Sequence, residues 1–148
     1  MNNFIYICSP CRGDNNDNIN NNIENAVTYC RQVFKLGYIP IAPHVYFTRF
    51  LDDSVPEERR AALDAGSKFL LRCAEVWVFG LDKPSEGMMA DIALAIRSGI
   101  PVRDGFEEVA KNATVLRMRD LTEDERKELL ENFSRKPIMG ILKQGGRP

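Results

Sequence analysis

Histidine and tryptophan each occur once in these 148 residues, and neither a Walker loop nor a GxGxxG fingerprint is present. The lone imidazole, His44, has no histidine partner. The CxxC pair of Cys8 and Cys11 lacks the second pair that a zinc site of about four ligands requires. No metal and no cofactor are therefore expected. A surplus of charge is missing too: 20 Lys and Arg stand against 21 Asp and Glu, a net charge of −1. Without a basic field, neither a nucleic-acid polymer nor an anionic membrane is an expected partner. Apolar runs stay well short of the ~20 residues that span a bilayer. Met1-Asn2-Asn3 has no basic start of a secretion signal, so a cytoplasmic protein with reduced thiols is expected.

What is present is an ordinary globular composition, 44% apolar and 28% charged, without internal repeat or linker. One domain over 1–148 is expected, with a core at about 4–118 and a C-terminal helix and tail at 121–148. Phe4 to Cys8 reads as a first, central strand, followed by a polar, asparagine-rich loop. Apolar residues at Ile23, Ala26, Val27, Cys30, Val33 and Phe34 form a helical stripe over about 19–36, ended by Gly37. Tyr38 to Ala42 is a second strand, placed near an edge by Pro40. A loop over 43–55 leads to a helix that Pro56 opens, with Glu57 and Glu58 near its positive end.

Glu75 to Phe79 is apolar enough for a strand covered on both faces. A helix over about 87–98 follows, then strands at 100–102 and 113–118, and a last helix capped by Thr122. Strands alternating with helices imply a parallel sheet with right-handed crossovers. The expected fold is α/β: a doubly wound, flavodoxin- or Rossmann-like three-layer sandwich with a five-stranded, mainly parallel sheet.

In such a sheet, ligands sit where strand C-termini meet helix N-termini. Three stretches fall there. Ser9 to Asp14 (SPCRGD) offers Arg12 as a planar fork for phosphate or carboxylate and Gly13 for close backbone approach, or is simply a solvated turn. After the second strand, His44, Tyr46 and Phe47 can stack a flat ring, or cap the sheet edge. After the third come Ser85, Glu86 and Gly87, with Asp91 four residues beyond the glycine. An aspartate inside the apolar run from Met88 to Ile96 is a poor helix former and would be partly desolvated, which favours basic or nucleophilic chemistry. Its other reading is a charge favouring the helix's positive end.

Taken in order, YICSPCRGD, IPIAPHVYFTRFLDD and CAEVWVFG with SEGMMADIALAIRSGIPV resemble the nucleoside 2-deoxyribosyltransferase-like family, including the deoxynucleotide N-hydrolases. Within it the chain looks most like a phage- or prophage-associated bacterial branch. The resemblance covers about residues 4–103. It implies cleavage or transfer at the N-glycosidic bond of a (deoxy)nucleoside or nucleotide, by attack of a carboxylate on the anomeric carbon. It places the nucleophile at Asp91, where the family has a glutamate, and leaves Glu86 as the other candidate carboxylate. Ser85 and Gly87 would line the sugar or phosphate, Arg12 and Gly13 the phosphate side. The base-contacting acid of the family falls near Ser67, with Asp64 one turn earlier. It also implies a homo-oligomer, a dimer or larger, for which the tail segment 137–142 is a candidate arm. The alternative is a nucleotide-binding or sensing module of the same fold without turnover.

Overall fold

A computed structural model of the chain describes residues 1–11, 16–119 and 122–134. Two compact units are distinguished, 1–112 and 113–148. The first holds the sheet, formed by β1 (Phe4–Cys8), β2 (Ile39–Ile41), β3 (Glu75–Val78) and β4 (Val102–Asp104), all parallel in the order β2-β1-β3-β4. The helices are α1 (Asn16–Lys35), α2 (Pro43–Phe47), α3 (Pro56–Leu70), α4 (Glu86–Arg97) and α5 (Gly105–Arg119).

Period-two alternation divides the core into two faces. Tyr6, Cys8, Val76 and Val78 pack with Leu70, Cys73, Met88 and Ala95 under α3 and α4. Ile5, Ile7, Trp77 and Phe79 pack with Val33, Tyr29 and Cys30 of α1 and with Val109. Tyr29 stacks flat on Phe79, centroids 4.3 Å apart. Two helical layers thus enclose the sheet, as expected. β1 is central and β2, with its proline, is an edge.

Chain order reverses between β1 and β3, because β1 connects outward to β2 while β3 connects outward to β4. In doubly wound sheets, ligands bind at such a reversal, outside the carboxyl ends of the strands, here β1 and β3. Glycine is required once nearby for a steric reason. A Cβ on Gly105 would sit 2.6 Å from the Phe79 ring, so α5 can start there only without a side chain.

Three expectations need correction. Residues 113–118 are not a fifth strand: α5 runs through them, because a short apolar run is ambiguous in period and here continues an existing helix. The asparagine-rich segment from Asn16 is helical, the modest propensity cost of asparagine being outweighed once α1 packs its apolar stripe on the sheet. Pro43–Phe47 is a one-turn helix rather than loop, with proline at its first turn. In the second unit, α6 (Glu123–Ser134) begins as expected. Thr122 Oγ1 accepts from Glu125 N at 3.3 Å while the Glu125 carboxylate accepts from Thr122 N at 2.9 Å.

Candidate functional site

α4 buries Met88 and Ala95 against the sheet, and the same stripe carries Asp91 and Ile92. Helical periodicity therefore turns the Asp91 carboxylate inward. On β1 alternation turns Tyr6 toward the same layer, and Tyr6 Oη donates to Asp91 Oδ2 at 3.1 Å. Burial holds the Asp91 carboxyl above the usual aspartate range, and the Tyr6 hydroxyl pulls it partly back. Tyr6 in turn is raised well above an ordinary phenol, by burial first and then by the Asp91 charge.

Burial keeps the thiols beside this couple protonated. Burial, with the Asp91 charge second, pushes the Cys8 thiol far up, and its Sγ donates to the Met88 carbonyl at 3.8 Å. Cys73 is pushed up to about 11 by burial. A thiol held protonated is a poor redox nucleophile, so Cys8 of the CxxC pair acts as a core residue.

A second couple stands at the end of β1. Ser9 is buried, and its Oγ shares a hydrogen bond of 3.1 Å with His44 Nε2. His44 is the second residue of α2, its carbonyl accepting from Thr48 Oγ1 at 2.8 Å. Burial brings its pKa down to about 4, so the ring is neutral near pH 7. The two couples adjoin through α3. The point where a Cβ on Gly66 would sit lies 3.8 Å from Tyr6 Oη and 3.7 Å from Cβ of Pro43, the neighbour of His44.

The other expected residues are placed less centrally. Tyr46 is exposed and Phe47 half-buried, forming a ring cluster with Phe50 at centroid distances of 5.1 to 5.8 Å. Ser85 caps α4, its Oγ accepting from Met88 N at 3.3 Å, so its lone pair serves the helix. Glu86 and Gly87 are exposed at the helix start, and nothing approaches within 4 Å of where a Gly87 Cβ would be. On α3, Asp64 is exposed and Ser67 donates its hydroxyl to the Leu63 carbonyl at 3.1 Å. Arg12, Gly13 and the tail segment 137–142 lie outside the described residues. Tyr6 is the site residue that sequence reading passed over. The available signal was a phenol in an aliphatic strand, whose buried hydroxyl needs a partner. Among the described residues no group of three or more His, Cys, Asp or Glu side chains is arranged to hold a metal ion. None of the described helices is long and apolar enough to cross a membrane.

The sheet order defines a doubly wound α/β protein, with the two hydrogen-bonded couples on and next to its central strand. The chain belongs to the family described as a domain of unknown function, DUF7768, whose model matches residues 3–105, from just before β1 to the first residue of α5. No curated protein matches the chain. Among solved structures, a 2-deoxyribosyltransferase from the psychrotolerant bacterium Bacillus psychrosaccharolyticus shares 16% identity with it. That likeness covers 67% of this chain and 69% of the other, with a TM-score of 0.49.

Proposed function

We propose that the chain cleaves the N-glycosidic bond of a deoxynucleoside or deoxynucleotide, with Asp91 as the nucleophile. The observation that carries this reading is the Tyr6–Asp91 hydrogen bond, which holds a partly desolvated carboxylate in one orientation. A carboxylate whose conjugate acid is weakened by burial is a stronger nucleophile when ionised. The motif order read from the sequence supplies the substrate class. In the first step, an Asp91 oxygen bonds to the anomeric carbon as the carbon–nitrogen bond breaks. The electron pair leaves on the base nitrogen, which takes up a proton from solvent water.

Tyr6 orients the attacking oxygen through its hydrogen bond. Glu86 is the weaker candidate, because an exposed carboxylate at a helix start is solvated and unpositioned. Arg12 and Gly13 are assigned to a phosphate, Ser85 and Gly87 to the sugar side, and the rings of Tyr46 and Phe47 to the base.

The test is free-base release, followed by chromatography, from a panel of deoxynucleosides and their 5′-monophosphates. Release from at least one member, lost by about a thousandfold or more in Asp91→Ala, is the expected result. A folded protein that releases no base from any member contradicts it. One observation favours binding without turnover: the shorter acid stands where the resembling family has glutamate, and a small misplacement of a reacting group costs about a hundredfold in rate. Calorimetric nucleotide binding with no base release is the outcome that selects that reading.

A further inference from the structure

The proposed reaction needs a second proton-handling group, because water that displaces the sugar from Asp91 must lose a proton. On α3, where the resemblance implies an acid, Asp64 is exposed and the Ser67 hydroxyl is spent on the Leu63 carbonyl. Around Asp91 the phenol of Tyr6 and the thiols of Cys8 and Cys73 are kept protonated by burial and can accept nothing. The imidazole of His44 is different in kind. Its Nε2 is engaged with Ser9, while its Nδ1 has no hydrogen-bond partner among the described residues and is not a buried orphan.

We infer that His44 is the general base that takes a proton from the attacking water, held by Ser9 as a positioning residue. The inference rests on the glycosidic reading above and adds the acceptor to it. When Ser9 Oγ accepts from Nε2–H, the tautomer is fixed and the Nδ1 lone pair is left open. Ser9 directly follows β1, and Gly66 of α3 borders both Tyr6 Oη and Pro43, the neighbour of His44, which sets the two couples side by side. In the step itself, water oxygen bonds to the anomeric carbon as the bond to the Asp91 oxygen breaks. Its proton passes to Nδ1, Asp91 leaves as the carboxylate, and the product is the free deoxy sugar. Burial keeps His44 neutral near pH 7, so the lone pair is available where the reaction runs.

The experiment uses the full chain and a deoxynucleoside that the wild type cleaves, with His44→Ala and the volume-conserving His44→Gln. Free base is followed before and during steady state, with and without sodium azide, a nucleophile that has no proton to lose. The expected result is a burst of about one base per site in both variants, followed by turnover reduced about 10²- to 10⁴-fold. Azide then restores turnover in His44→Ala, with deoxyribosyl azide as product. Ser9→Ala lowers kcat with KM little changed, as loss of ring positioning requires. Wild-type turnover in both His44 variants overturns the inference. So does a folded variant that loses burst and steady state together and is not rescued by azide. A wild type that releases no base defeats the glycosidic reading itself, which separates the two failures.

Discussion

Asp91 and His44 are strained electrostatically in opposite senses, and each leaves a signature in stability against pH. Asp91 has its folded-state pKa above the unfolded value of 3.8. The folded chain therefore holds that proton longer, and stability falls as pH rises from near 3.8 through the raised value. His44 is lowered from 6.5 to about 4, so the unfolded chain binds its proton first. Stability is then lost as pH falls from 6.5 toward 4, by about 3 kcal/mol at most. Asp91→Asn keeps an acceptor for the Tyr6 hydroxyl and removes the buried charge. Urea unfolding at pH 7 is expected to find this variant as stable as the wild type or more so, with the difference closing in acid. A variant less stable than wild type by more than about 1 kcal/mol at pH 7 contradicts the burial account.

At this scale, the sequence showed Asp91 because an aspartate interrupting an apolar helix stripe is conspicuous. Tyr6 was hidden, because a tyrosine in a strand reads as core and its partner lies 85 residues away. The Ser9–His44 bond was hidden for the same reason: both residues stood out, but no local pattern joins the end of β1 to the start of α2.

Among elements, the punctuation was the legible part. Gly37 closes α1 and Pro56 opens α3, and the apolar run around Trp77 is β3. Each of these signals is local, set by backbone chemistry within a few residues. The reading of 113–118 as strand failed because six residues do not distinguish period 2 from period 3.6, and only the upstream start of α5 decides. That start depends on Gly105. Replacing it with alanine places a methyl inside the Phe79 ring contact, and overpacking of this kind costs about 1–3 kcal/mol. Thermal unfolding of Gly105→Ala is expected to show a lowered Tm. An unchanged or raised Tm, as a simple gain in helix propensity would give, contradicts the close approach of α5 to Phe79.

For the molecule as a whole, the doubly wound architecture followed from alternation of strands and helices, and the structure adds the order β2-β1-β3-β4 that fixes the switch point. The order matters chemically because it brings Tyr6 of β1 into contact with Asp91 of α4, while Ser9, just past the end of the same central strand, bonds to His44 of α2. The central claim is that Asp91 forms a covalent bond to the sugar. Its direct measurement is the mass of the enzyme after acid quenching with a 2′-fluoro-arabinonucleoside, whose electron-poor sugar slows release from the carboxylate. The account predicts one fluorosugar added per chain, located by peptide mapping to the segment containing Asp91 and missing in Asp91→Ala. Release of base with no adduct, or an adduct on Glu86, would contradict it.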